Sequence, residues 1–170
     1  MSLPLEADLQ DLARALGVQL VQRRMKLATA ESCTGGWVAK VATEVPGCSD
    51  WFDGAFVAYS YEAKEAMLGV SRVTLEEFGA VSRETVVEMV RGALSRSRAN
   101  VAVSITGIAG PTGGTSDKPV GTVWLAWARG HHPPVARIYR FDGDRDAIRR
   151  QTVEHALTGL IRILHEADPL

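Results

Sequence analysis

Short apolar runs alternate along this chain with segments of helical periodicity, and near the end two such runs follow one another directly. This alternation limits the fold more than any other feature. Strands separated by helices pair in parallel and need helices on both faces, whereas two strands in succession close as an antiparallel hairpin. The runs are Lys26–Ala30, Gly54–Tyr59, Val101–Thr106, Val120–Ala128 and Val135–Phe141, and His131-His132-Pro133-Pro134 supplies the hairpin turn. Leu5, Leu9, Leu12, Leu16 and Leu20, spaced by three and four, lie on one face of a first helix. Trp37, Val38, Val41, Ala42 and Val45 form a second helix that Pro46-Gly47 ends. Glu62 to Leu68 reads as a helix stopped at Gly69, and Thr74 with Glu77 has capping-box spacing, so a short helix is predicted to start at Thr74. Ser82 caps a longer helix, and Asp144 opens the last one. The expected fold class is α/β: a three-layer α/β/α sandwich with a mixed, mostly parallel sheet.

Length and charge narrow the function. The 170 residues fit one domain, 1–170, with no repeat or linker. Lys plus Arg number 19 and Asp plus Glu 20, so the chain has no general electrostatic hold on nucleic acid or an anionic membrane. Two cysteines, Cys33 and Cys48, are too few for a disulfide framework, and Met1 to Asp11 carries acidic residues where a secretory signal would be basic and then apolar. A cytoplasmic protein is expected. No apolar run reaches the roughly 18 residues of a membrane span. Four histidines, His131, His132, His155 and His165, lack zinc-ligand spacing, so no metal site is expected.

Open α/β sheets bind ligands at the carboxyl ends of their strands. Two unusual loops are predicted at that edge. The first, Ser32-Cys33-Thr34-Gly35-Gly36, joins a strand to a helix. Ser32 is either a nucleophile or an ordinary N-cap there, and the N–H groups of the turn can hold an oxyanion. Cys33 is a competing nucleophile or a small buried side chain. A serine nucleophile needs a base. No histidine is placed near Ser32, and Lys64, just beyond the strand that ends Ala58-Tyr59-Ser60, is the alternative if burial neutralises it. A solvated lysine paired with Glu62 or Glu65 is the plainer reading. Tyr59 is a core aromatic or a proton relay. The second loop, Gly107 to Gly114, has four glycines in eight residues and is suited to cradling phosphate, though it matches neither a Walker A loop nor GxGxxG. Arg145, Arg149 and Arg150 form either an anion clamp or a solvated face. Trp37, Trp51, Trp124 and Trp127 stack on a base or pack the core.

Four ordered segments carry a resemblance. They are Ala30-Glu31-Ser32-Cys33-Thr34-Gly35-Gly36, then Gly54 to Ser60 with Glu62-Ala63-Lys64, then Thr106 to Gly114, then Lys118-Pro119-Val120-Gly121. Together they resemble the nicotinamide-nucleotide amidase family (PncC, or the C-terminal domain of the competence/damage-inducible protein CinA), from about Leu9 to Leu164. The chain is similar to the stand-alone form, without the pyrophosphatase domain of longer CinA proteins. The resemblance implies hydrolysis of the carboxamide of nicotinamide mononucleotide to nicotinate mononucleotide and ammonia, without a metal or organic cofactor. It implies Ser32 as nucleophile, Lys64 as base and Tyr59 beside them. Cys33, Thr34, Gly35 and Gly36, with Thr106, Gly107, Ala109, Gly110, Gly113, Gly114 and Arg145, would then contact substrate. It further implies a homodimer. Ser60-Tyr61 departs from the Ser-Asn of the family at position 61. The rivals are a non-catalytic nucleotide-binding module and an amidase for another small amide.

Overall fold

In the computed structural model, which describes residues 6–166, the elements run α1 (Glu6–Gln22), β1 (Leu27–Glu31), α2 (Trp37–Thr43), a 3-10 turn at Cys48–Asp50, β2 (Phe52–Val57), α3 (Tyr61–Leu68), α4 (Arg72–Phe78), α5 (Arg83–Ser95), β3 (Val101–Gly107), β4 (Thr122–Arg129), β5 (Val135–Arg140) and α6 (Arg145–His165). The five strands form one sheet in the order β2-β1-β3-β4-β5. β1 pairs in parallel with β2 and with β3, while β3–β4 and β4–β5 are antiparallel. The fold is therefore α/β with a mixed sheet, its pairings divided evenly between the two kinds rather than mostly parallel.

Side chains alternate across the strands, and each face buries its own core. Leu27, Val101, Val103, Ile105, Val123, Leu125 and Trp127 pack with residues of α1, α2 and α6. Ala28, Ala30, Ala102, Ala126 and Ala128 face Val86, Met89, Val90 and Ala93 of α5, together with Leu68 and Leu75. The split follows from chain direction. The β1-to-β2 and β2-to-β3 crossovers travel opposite ways along the sheet, so right-handed connections put their helices on opposite faces. The alanine-rich face lets α5 come close. Gly92 of α5 lies against the backbone of Leu68 at the end of α3, where a Cβ would overlap the Leu68 carbonyl. Gly92→Ala should therefore lower stability by about 1–3 kcal/mol, seen as a lower urea midpoint at an unchanged m-value.

Two local expectations change. The α4 helix starts at Arg72 with Ser71 as N-cap, not at Thr74. Glu88 of α5 explains the shift: its carboxylate accepts from the Ser71 N–H and from the Thr74 hydroxyl, so a distant side chain satisfies this helix start. The fourth strand begins at Thr122 rather than Val120, because Gly121 turns with φ +93 and its N–H donates to the Ile108 carbonyl. The caps at Ser82 and Asp144 are as predicted, each accepting from the N–H three residues on. Leu5 of the first helical stripe lies outside the described residues, and Leu9, Leu16 and Leu20 are fully buried.

Candidate active site

Strand order reverses about β1: the chain leaves it for β2 on one side and returns to β3 on the other. The crossovers that leave β1 and β2 therefore part to opposite faces at the carboxyl edge, the place where open α/β sheets bind ligands. In register, Glu31 at the end of β1 lies between Val57 and Ile105. The next residue, Ser32, donates its N–H to the Ile105 carbonyl, and Ala58 donates its N–H to the Glu31 carbonyl. Sheet pairing alone thus brings Ser32, the Ala58-Tyr59 segment and the start of the glycine loop to one place.

Lys64 points into that place. Ser60 caps α3 by accepting from the Ala63 N–H, and a side chain in the first turn of a helix leans back toward its N-terminus. Lys64 is 1% exposed, which excludes the solvated-helix reading. Glu62 and Glu65 face Arg72 instead. Its Nζ lies 3.0 Å from Ser32 Oγ, 2.9 Å from the Ala58 carbonyl and 3.1 Å from the Tyr59 carbonyl. Burial pulls its pKa down from 10.5 to about 8. A neutral amine has two N–H groups, which the two carbonyls accept, and one lone pair, which then faces the Ser32 hydroxyl. The arrangement is suited to removing the Ser32 proton near neutral pH.

The turn after Ser32 is tied from two sides. Glu31, fully buried, accepts from the Thr29 and Thr34 hydroxyls and from the N–H groups of Val38 and Ala39. Its carboxylate thus holds the first turn of α2. From α6, Arg149 donates to the carbonyls of Cys33 and Thr34. Gly35 and Gly36 adopt φ +60 and +95, conformations that favour glycine, and Gly36, not Ser32, is the N-cap of α2. The N-cap reading of Ser32 is therefore replaced: four turn residues separate it from the helix. Glu31 was not singled out from sequence. Its signal was an acidic residue closing an apolar strand seven residues before a helix N–H that it accepts from.

The remaining expected residues divide. Arg145 donates to the Gly110 carbonyl at 2.7 Å and to the Tyr59 hydroxyl at 3.4 Å, joining the glycine loop to the end of β2. Tyr59 is 62% exposed, so it is not a core aromatic; only its main-chain carbonyl reaches Lys64. Thr106 is buried and donates its hydroxyl to the Ala80 carbonyl. Gly107 packs on Val123, Ala109 is buried in the core, and Gly113 and Gly114 lie in an exposed stretch. Cys33 is also in the core, and burial pushes its thiol up to about 12, so it is protonated at neutral pH. His131 and His132 follow β4, whose end pairs with Val101 at the start of β3, so they sit at the opposite edge of the sheet from Ser32. His155 is packed by the rings of Tyr139 and Phe141. Trp51 and Trp127 are core residues, and Trp37 lies beneath Arg149 and Arg150.

Among the described residues, no three His, Cys, Asp or Glu side chains group as metal ligands, and no helix is long and apolar enough to cross a membrane. Comparison with known proteins agrees with the motifs. The family model of the CinA C-terminal domain matches residues 9–164. The chain is 52% identical over 155 residues to the nicotinamide-nucleotide amidohydrolase PncC of Escherichia coli (strain K12), covering 91% of this chain and 94% of that one. It is 51% identical over 152 residues to the PncC of Pseudomonas putida, covering 89% and 94%. The crystal structure of the competence/damage inducible protein CihA from Agrobacterium tumefaciens superposes with a TM-score of 0.90 at 44% identity, over 96% of this chain and 98% of that one. With its nucleotide-amidohydrolase relatives and its near-complete match to the family model, the chain belongs to the CinA C-terminal domain family.

Proposed function

We propose that this chain hydrolyses the carboxamide of nicotinamide mononucleotide, with Ser32 as nucleophile and Lys64 as general base. The observation that carries the reading is the Lys64 Nζ, buried, 3.0 Å from Ser32 Oγ, with two backbone carbonyls taking its other hydrogens. The relatives named PncC supply the substrate: their names specify a nicotinamide nucleotide and an amide bond.

The steps follow from the geometry. Neutral Lys64 takes the hydroxyl proton as Ser32 Oγ bonds to the carboxamide carbon. The carbonyl oxygen becomes an oxyanion. Among the described residues, the N–H groups of Cys33, Thr34 and Gly36 make no hydrogen bond to another residue, which leaves them for that oxygen. Lys64 then gives its proton to the departing nitrogen, the C–N bond breaks, and ammonia leaves an acyl-Ser32. Water attacks the ester, Lys64 accepts the water's proton, and the returning proton restores the serine. Tyr59 and Arg145, at the exposed mouth, are placed to receive the nucleotide. The glycine loop and Arg145 supply donors for its 5′-phosphate.

The test is ammonia and nicotinate mononucleotide production from nicotinamide mononucleotide by the purified chain with a chelator present. Stoichiometric release of both supports the reading. Tight nucleotide binding without release replaces it with a non-catalytic binding module. Cys33→Ser separates the two candidate nucleophiles in the same assay. Its thiol is protonated and faces the core, so turnover should stay within about threefold of wild type, while the buried hydroxyl lowers stability by about 1–3 kcal/mol. A collapse of turnover in a folded Cys33→Ser protein would transfer the role to the thiol.

A further inference from the structure

The turn that follows Ser32 contains two left-handed glycines and two main-chain hydrogen bonds, from the Gly35 N–H to the Ser32 carbonyl and from the Trp37 N–H to the Thr34 carbonyl, and the Thr34 hydroxyl donates to Glu31. The turn's carbonyls are gripped from outside, by a residue more than 110 positions further along the chain. Arg149 Nε donates to the Cys33 carbonyl at 3.0 Å and Nη2 to the Thr34 carbonyl at 3.1 Å. These two nitrogens form one edge of the planar guanidinium, a rigid fork that fits two neighbouring oxygens. The plane is fixed in turn by the face of Trp37, 5.3 Å from the guanidinium carbon.

Peptide planarity converts this grip into an orientation at the site. In a trans peptide the C=O and the following N–H point in opposite directions. Holding the Cys33 carbonyl toward α6 therefore turns the Thr34 N–H away from it, and the Thr34 N–H makes no hydrogen bond among the described residues. Glu31 fixes the far end of the turn by binding the Val38 and Ala39 N–H groups. Of the three arginines at the start of α6, Arg145 bridges Gly110 and Tyr59, Arg150 pairs with Asp146, and Arg149 reaches the nucleophile turn. We propose that Arg149 is a positioning residue for catalysis: by clamping the Cys33 and Thr34 carbonyls it fixes the first peptides of the turn and aims the Thr34 N–H at the oxyanion formed at Ser32. The inference rests on the acyl-transfer reading of Ser32 and goes beyond it by assigning the support of the oxyanion site. The Nε–Nη2 edge of Arg149 is turned to the Cys33 and Thr34 carbonyls.

The experiment measures kcat and KM for nicotinamide mononucleotide in Arg149→Met and Arg149→Lys, with circular dichroism melting as the folding control. A second assay follows acylation of Ser32 by p-nitrophenyl acetate, which needs an oxyanion site but no nucleotide. Arg149→Met should lose about 10²–10³-fold in kcat, the effect of a lost oxyanion donor, with KM within about threefold and a parallel loss in acylation rate. Arg149→Lys retains one donor and should lose about tenfold less. If Arg149→Met does not fold, Arg149→Lys decides: lower kcat at unchanged KM supports the proposal, and wild-type kcat overturns it. A loss carried by KM overturns it in favour of substrate binding, and kcat within threefold of wild type in folded Arg149→Met overturns it outright. If the wild type accepts the ester but not the nucleotide, the substrate reading fails alone and the acylation rates decide Arg149. A wild type inert to both removes the acyl-transfer reading and this inference with it.

Discussion

Ser32→Ala should reduce turnover of nicotinamide mononucleotide by at least about 10⁴-fold, since a covalent route has no substitute once its nucleophile is gone. Affinity should hardly change. Ser32 is 7% exposed and its side chain makes one hydrogen bond, with Lys64, which keeps its two carbonyl partners after the substitution. The turn is held by Glu31 and Arg149 rather than by the Ser32 hydroxyl. Nucleotide binding by calorimetry should therefore match wild type, and the melting temperature should stay within a few degrees. The double variant Ser32→Ala, Lys64→Met should be no slower than Ser32→Ala alone, because residues that act as a unit do not contribute additively. Ser32→Ala with more than a tenth of wild-type turnover would end the nucleophile assignment, and a double variant slower still would show Lys64 acting independently of Ser32.

The sequence disclosed those parts of this arrangement that depend on neighbours along the chain. Strand runs, the hairpin and the caps at Ser82 and Asp144 are local patterns, and they stand in the structure within a few residues. Thr74 is not the cap because the helix begins earlier, at Arg72, where Glu88 of another helix accepts from the Ser71 N–H and takes up the Thr74 hydroxyl. Lys64 shows the limit most clearly. Its helix, Tyr61–Leu68, is short and polar, and nothing local distinguishes a buried lysine from a solvated one. Its burial depends on β2 lying beside β1, which puts the Ala58 and Tyr59 carbonyls where Nζ ends. Arg149 likewise reads as one of three surface arginines until α6 is docked over the Cys33–Thr34 peptide. The glycine loop was legible as unusual, but its glycines do different work: Gly107 admits Val123, Gly110 offers its carbonyl to Arg145, and Gly114 admits the Val120 backbone.

Removing the base should leave a signature in pH as well as in rate. Lys64→Met keeps the length of the buried stem and loses the nitrogen, so kcat/KM should fall by about 10²–10⁴-fold, the usual worth of a positioned general base. With the Lys64 pKa lowered to about 8, the neutral amine is a minority below that pH. Wild-type kcat/KM should climb about tenfold per pH unit below 8 and level off above it, and this limb should vanish in Lys64→Met. Stability gives an independent reading of the same group. The folded pKa, about 8, lies below the unfolded value of 10.5, so between them the unfolded chain carries the extra proton. Stability contributed by this site therefore rises with pH across that window, and the cost of a buried ammonium is fully present below it. The urea midpoint of Lys64→Met should lack this rise, so the gap between wild type and variant should shift in favour of wild type from pH 7.5 to pH 10. A wild-type rate that is flat from pH 6 to 9, or a limb near 8 that survives in Lys64→Met, would mean that the titrating base is another group. A stability gap independent of pH would mean that the lysine is not buried as an ammonium in the folded protein.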